Sequence, residues 1–399
     1  MQRYTIIGIT DAAEPQLSAE AREAVAAGRV FSGGRRHHEI VRPLLPAQHE
    51  WIDIAPPMEA VLARYAACEG EVVVFASGDP LFFGFAATLL RAFPGGNVRV
   101  LPAFNSLQLL AHRLLLPYER MHCVSLVGRP WEGLDRALLR GEELVGVLVD
   151  RAKRPELVAQ RLLDYGYEGY TMSVGERLGG EQERVRTLSL HAALTETFAA
   201  PCCLLLRSEG ALPPRPFGIP DYAFALLDGR ERMITKMPIR LLSLQALDLP
   251  RRHVLWDVGF CTGSISIEAR RLFPHLHIVA IERRAEGEAL MATNSRRFGA
   301  PGIETLIGDF FSIETSGLPV PDAVFIGGHG GRLPEMMARL DGLVAEGARV
   351  ALNAVTPQSR SAFEDNATRL GWRLNAPLHV ELNDFHPITI LTADVYHSR

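Results

Sequence analysis

Residues 257–268 read Asp-Val-Gly-Phe-Cys-Thr-Gly-Ser-Ile-Ser-Ile-Glu, directly after an apolar run and directly before a helical pattern. A parallel sheet opens its ligand crevice at the carboxyl ends of its strands, and glycines there let backbone amides approach a ligand closely. Gly259, Gly263 and the adjoining Ser264 are placed for that role. A dinucleotide pyrophosphate wants G-x-G-x-x-G at the helix start, and this loop does not supply it. Asp257 points instead to a ligand carrying a cationic amine. Glu282 ends the next apolar run, where an acidic side chain can accept both ribose hydroxyls. Asp309 closes the run after that, in Gly-Asp-Phe, where it either bonds an adenine amine or caps the loop. Three acidic strand ends in series fit S-adenosylmethionine better than a nicotinamide cofactor.

A second candidate lies in Ala-Ser-Gly-Asp-Pro-Leu-Phe-Phe-Gly (76–84), again after an apolar run. Asp79 and Pro80 make a tight turn that exposes backbone, Gly78 precedes it, and Gly84 lets the next helix pack closely. Basic side chains that can meet a polycarboxylate are Arg35, Arg36, His37 and His38 in Gly-Gly-Arg-Arg-His-His-Glu, with Lys236 and Arg240 further on. Each is equally readable as solvated surface charge. In Gly-Gly-His-Gly-Gly (327–331) the glycines, Gly327 and Gly328 among them, leave room for a large flat ligand. His329 there is a proton donor, a contact to a carboxylate, or a loop histidine without a role.

These sites need two α/β sheets to position them. Short apolar runs alternate with helical patterns throughout. The first half carries strand signals at 4–9, 71–77, 98–102, 123–128, 144–150, 171–176 and 202–207, with helices such as 81–92 and 106–115 between them. A proline-rich stretch (209–221) then breaks the pattern. The second half alternates helix 238–247, strand 254–259, helix 263–273, strand 277–282, helix 285–298, strands 304–309 and 322–328, helix 332–344, strand 348–355 and helix 357–370. It closes on strands 378–383 and 388–394, the order of a seven-stranded methyltransferase sheet. The domains expected are 1–208 and 233–399, joined by a linker at 209–232.

The chain has 399 residues, 47% of them hydrophobic, enough for two ordinary cores. Lys plus Arg number 42 against 46 Asp plus Glu, so no global field gathers nucleic acid or an anionic membrane. The opening residues lack the sections of a signal peptide, and no apolar stretch is long enough to span a bilayer. A cytoplasmic protein is expected. The five cysteines are scattered, and no C-x-x-C pair occurs. Neither metal nor disulfide is expected, and Cys202 and Cys203 read as strand packing.

The Gly-Asp-Pro segment resembles the G-D-P-x-x-x-G motif of the tetrapyrrole methylase family. Residues 33–39, 101–111, 125–129 and 176–186 resemble further pieces of that family in the expected order. Residues 233–240 (Met-Ile-Thr-Lys-Met-Pro-Ile-Arg), 257–268, 322–331 and Asn353-Ala-Val-Thr together resemble the C-terminal, decarboxylating domain of the precorrin-6Y C5,15-methyltransferase family. The resemblance implies a two-lobed tetrapyrrole methylase fold followed by a Rossmann-like methyltransferase domain. By that resemblance the substrate is precorrin-6Y, the cofactor is S-adenosylmethionine, Asn353 belongs to the substrate site, and the chain self-associates. Two departures stand out. Cys261 replaces the middle glycine of D-x-G-x-G-x-G, where a positive φ would cost of order 1 kcal/mol. Gly-Ile-Thr-Asp-Ala-Ala-Glu-Pro (8–15) stands where the family has G-x-G-P-G. The rival these departures raise is a divergent homologue with one or both sites inactive.

Overall fold

The computed structural model describes residues 2–12, 14–210, 216–228, 230, 233–383 and 386–396. The chain divides into two compact units. One holds residues 1–134, 142–161 and 169–211; the other holds 212–399 together with 135–141 and 162–168.

The first unit contains two five-stranded sheets. One is wholly parallel, in the order Glu50–Asp53, Val30–Gly33, Glu71–Ser77, Arg3–Ile9, Asn97–Leu101. Its middle strands are the apolar runs Arg-Tyr-Thr-Ile-Ile-Gly-Ile and Glu-Val-Val-Val-Phe-Ala-Ser, covered on both faces as parallel strands are. Tyr4, Ile6, Val72 and Val74 pack on one side, and Ile7, Phe31, Val73 and Phe75 on the other. The second sheet runs His122–Ser125, Leu144–Leu148, Cys202–Ser208, Tyr170–Glu176, Arg184–Ser189, and is antiparallel except for its first pair. Cys203 is buried there beside Leu107 and Leu205.

In the second unit the strand order is Ile303–Ile307, His277–Glu282, Val254–Val258, Ala323–Ile326, Arg349–Ala354, Ile388–Asp394 and then Arg373–Leu374. Leu378–Val380 pairs the same side-by-side partner, Ile388–Asp394, further along. Together with Arg373–Leu374 it forms one interrupted strand. Seven positions result, the first five parallel and the last two antiparallel, as the alternation of the sequence anticipates. The core lies between the sheet and its helices, with Trp256, Val279, Val324, Met337, Val350 and Phe363 on one face.

The stretch read as a linker is more than a spacer where it is described. Ile219 and Phe224 are buried with Phe260, Ile267 and Met291. The Ile219 amide donates to Glu268 Oε2 at 3.0 Å, and the Ala225 amide donates to Asn294 Oδ1 at 2.8 Å. Residues 211–215, 229 and 231–232 lie outside the described part.

Candidate active site

The C-terminal crevice is a cavity of about 1000 Å³ at the carboxyl ends of the parallel strands. The strand Val254–Val258 delivers Asp257 to its floor, where the side chain is 0% exposed. Ser266 Oγ donates to Asp257 Oδ2 at 2.6 Å, while Oδ1 has no hydrogen-bond partner among the described residues. Burial pushes this carboxyl up to about 7, against the pull of the Ser266 hydrogen bond. A buried carboxylate oxygen without a donor is costly, and a cationic amine is the group that would relieve it. Thr262 Oγ1 and Asn353 Nδ2 are likewise buried and without partners among the described residues, and both residues line the cavity. Asn353 Oδ1 accepts from Ser243 Oγ at 3.0 Å.

Above Asp257 the chain turns through Gly259 (φ 80), Cys261 (φ 53) and Gly263 (φ 74) before the helix Ser264–Leu272 begins. A Cβ on Gly259 would lie 2.7 Å from the Gly328 amide nitrogen, and one on Gly327 would lie 2.7 Å from the Gly259 carbonyl. Only bare backbone lets the two loops meet so closely. Cys261 thus occupies the left-handed conformation that the sequence pattern reserves for glycine. Its amide donates to Glu282 Oε2 at 3.0 Å, and its thiol donates to the Met233 carbonyl at 3.3 Å. Glu282 is buried, lines the cavity, and accepts on Oε1 from the Arg284 amide and guanidinium at 3.0 and 3.1 Å. Asp309 lines the cavity too, and its Oδ1 accepts from the Phe311 amide at 2.9 Å, which caps the turn that follows.

His329 is half-buried at the cavity wall. Its Nδ1 accepts from the Gly331 amide at 3.2 Å, so the neutral ring carries its proton on Nε2. Burial lowers its pKa. The open space predicted for the whole turn is real at Gly328 and Gly331, where a Cβ would meet nothing within 4 Å. At Gly327 it is taken by Gly259.

The basic candidates divide. Lys236 lines the cavity, with Nζ 3.8 Å from Asp221 Oδ2. Arg240 does not. It is 0% exposed, donates from Nε to Glu268 Oε2 at 3.1 Å and from NH1 to the Thr235 carbonyl at 2.8 Å, and also binds the Ile219 carbonyl. Its charge is matched inside the unit, so the substrate role expected for Arg240 is replaced by a structural one. Residues that sequence reasoning passed over, Thr262, Arg283, Phe311, Arg332 and His386, line the cavity as well. The one signal for Arg283 and Arg332 was their position beside Glu282 and the glycine turn.

In the first unit three strand ends converge. A Cβ on Gly8 would fall 1.9 Å from the Gly78 carbonyl oxygen and 2.6 Å from the Ala103 amide. Gly78 itself has φ 61, and its amide donates to the Ile9 carbonyl at 2.8 Å. Asp79 Oδ1 accepts from the Leu81 amide at 2.9 Å, and a Cβ on Gly84 would meet the Pro80 carbonyl at 2.4 Å. Beside this junction is a cavity of about 640 Å³, lined by Gly8, Thr10, Asp79, Ala103, Phe104 and Gln108 among others. Of the four residues named in the Gly-Asp-Pro turn, Asp79 faces it; Gly78, Pro80 and Gly84 shape the turn. Gly128 and its neighbours are not part of that lining: the Gly128 amide donates to Asp150 Oδ2 at 2.8 Å.

The basic run forms the helix Arg35–Val41 rather than a loop. Arg35 is exposed and pairs with Glu39 at 3.3 Å. Arg36 reaches Asp11 at 2.6 Å and Ser77 Oγ at 2.9 Å, so it braces the altered 8–15 loop. Burial, then the neighbouring Arg36, pushes His37 down to about 4, which leaves it neutral. His38 stacks on Trp51 with ring centroids 4.0 Å apart. Neither arginine lines the described cavity, so the substrate contacts expected of Arg35 and Arg36 are not brought to it.

Residues 4–193 match the family described as tetrapyrrole (corrin/porphyrin) methylases, and residues 227–392 match the precorrin methyltransferase domain. The chain is 34% identical over 376 residues to a precorrin-6Y C(5,15)-methyltransferase [decarboxylating] of Sinorhizobium sp, spanning 93% of this chain and 89% of the relative. Two shorter proteins of Salmonella typhimurium also match. A cobalt-precorrin-6B C(15)-methyltransferase (decarboxylating) is 36% identical over 41% of this chain and 83% of its own length. A cobalt-precorrin-7 C(5)-methyltransferase is 28% identical over 47% of this chain and 91% of its own length. A single relative of like length thus aligns with both halves together, and the chain belongs to the precorrin-6Y C5,15-methyltransferase (decarboxylating) family.

Proposed function

We propose that this chain methylates precorrin-6Y at carbons 5 and 15 with S-adenosylmethionine and removes the carboxyl of the ring C acetate as carbon dioxide, giving precorrin-8X. The observation that carries the reading is a cavity at the glycine-lined strand ends of each unit, in a chain whose two halves align together with one decarboxylating relative. We assign the carbon-5 transfer to residues 1–208, and the carbon-15 transfer with decarboxylation to the C-terminal unit. The docking of Ile219 and Phe224 argues for a start to that unit upstream of 233. Among the described residues no helix is long and apolar enough to cross a membrane.

Bound S-adenosylmethionine supplies a methyl group that is already electrophilic, so alignment and exclusion of water are what remain for the protein. In the C-terminal unit Asp257, Gly259, Gly263, Ser264 and Glu282 would hold it, with Asp309 at the edge. In the N-terminal unit the backbone around Gly8, Asp79 and Ala103 would do so, with Gly78, Pro80 and Gly84 setting the turn. A meso carbon of the macrocycle would form the new bond to the methyl carbon as the methyl–sulfur bond breaks, its electron pair passing to sulfur and the neutral thioether leaving as S-adenosylhomocysteine, and the meso carbon would later give up a proton. In the decarboxylation the C–CO₂ bond breaks, its electron pair enters the conjugated ring, and a proton returns to the side-chain carbon. His329 is the group we assign to that proton. Burial keeps its free ring neutral, and a substrate carboxylate beside it raises its pKa and creates the acid where it is needed.

Incubation of the protein with precorrin-6Y and S-adenosylmethionine, followed by mass spectrometry, tests the reading. The expected product is lighter by one carbon dioxide and heavier by two methylene groups. A single methyl gain removes the assignment of one unit, and an unchanged substrate removes both.

A further inference from the structure

The C-terminal cavity carries an excess of basic groups over what its own acids neutralise. Arg284 binds Glu282 at 3.1 Å, and Lys236 lies 3.8 Å from Asp221, so both already face carboxylates. Arg283 and Arg332 have no carboxylate partner among the described residues, are exposed, and line the same cavity. The Arg332 guanidinium lies 3.6 Å from the centroid of the Phe311 ring. Stacking of this kind fixes the orientation of the group and leaves its charge in place. A Cβ built on Gly330 would sit 3.5 Å from Arg283 NH1, so this second guanidinium lies against the turn that carries His329 and ends at Arg332. Two forked cations flank the one turn on which the proton donor sits.

We propose that Arg283 and Arg332 form the carboxylate clamp of the C-terminal cavity, binding acid side chains of the tetrapyrrole and setting which of them reaches His329. The inference rests on the function proposed above and takes the place of the role expected of Arg240. Planar guanidinium groups bind carboxylates through two parallel hydrogen bonds, which fixes direction as well as distance. Arg332 gains in addition from a ring held from behind: Arg339 donates to the Phe311 carbonyl at 3.0 Å and to the Ile313 carbonyl at 2.9 Å, which anchors the loop beneath the stack.

The test uses the full chain with Arg283→Gln, Arg332→Gln and the double variant; both side chains are exposed, so the fold does not depend on them. The KM for precorrin-6Y in the decarboxylating step should rise about ten-fold for each single variant, the equivalent of about 1.4 kcal/mol. The KM for S-adenosylmethionine should stay unchanged, and Arg332→Lys should recover part of the loss. Independently of turnover, fluorescence titration with uroporphyrin III and with its octamethyl ester measures the preference for free acid. The wild type should prefer the acid, and the double variant should lose most of that preference at one of its sites. Unaltered KM values, or an acid preference equal to wild type in the double variant, overturn the clamp. A wild type that does not turn over precorrin-6Y counts instead against the proposed function, and the acid-to-ester comparison still decides the clamp.

Discussion

Replacing Asp257 with asparagine should stabilise the protein in the absence of cofactor and weaken its grip on the cofactor, two effects of opposite sign. The Asp257 carboxyl is wholly buried, and burial raises its pKa to about 7 from an ordinary 3.8. At 1.36 kcal/mol per pH unit, that rise corresponds to roughly 4 kcal/mol. An acid whose folded pKa is raised contributes its stability in the neutral form. That contribution is complete below pH 3.8, falls as the pH climbs to about 7, and is absent above. Asparagine cannot ionise, yet its side-chain oxygen can still accept from Ser266 Oγ. At pH 8 the variant should therefore exceed the wild type by up to about 4 kcal/mol, with the two stabilities converging near pH 4. Binding reverses the order. A cationic amine favours the ionised carboxylate, so wild-type affinity rises with pH toward 7 and levels off, while the variant stays flat. Loss of one charge-assisted contact of about 2 kcal/mol predicts roughly 30-fold weaker binding in the C-terminal unit at pH 8. Scanning calorimetry across pH 4–8 without cofactor, paired with isothermal titration, reads both effects. A variant that is less stable than wild type at pH 8, or one that binds S-adenosylmethionine at both sites as before, refutes the reasoning.

Cys261→Gly removes a side chain from a φ of 53° and should raise the melting temperature of the C-terminal unit by about 2–4 °C, for a gain of about 1 kcal/mol. A lowered melting temperature in thermal denaturation would mean that the thiol's bond to the Met233 carbonyl outweighs the backbone cost. Arg240→Ala leaves Glu268 buried without its cation, and urea titration should show a loss of about 3–5 kcal/mol. Precorrin-6Y affinity of the folded fraction should be unaltered; a specific rise in KM with stability intact would restore Arg240 to the substrate site.

What could be read in advance follows from where the stabilising contacts lie. The strands Val254–Val258, His277–Glu282 and Ala323–Ile326 are buried on both faces, so their apolar runs announced them and their ends fell within about two residues of expectation. Val30–Gly33 and Glu50–Asp53 escaped because each is four residues long and mixes small and polar side chains. Arg184–Ser189 escaped because it is an edge strand with no buried residue. In the site, Gly259 and Gly263 were legible because a positive φ and a close approach are demands on a single residue. The fate of a charge is not, since it is set by partners distant in the chain. Arg240 is neutralised by Glu268 and Asp221, and Arg36 by Asp11. Arg332 stands over Phe311, a pairing that no spacing rule reveals. The 8–15 loop looked like a defect, yet Gly8 keeps the essential approach to Gly78 and Asp11 gains a brace from Arg36.

Each unit should hold its own methyl donor, and calorimetric titration of the intact chain with S-adenosylmethionine measures that directly. The intact chain should bind two molecules, with Asp257→Asn weakening one of the two sites roughly 30-fold at pH 8 and leaving the other unchanged, and with NADH giving no heat. Binding of a single molecule by the wild type, or heat from NADH, would contradict it.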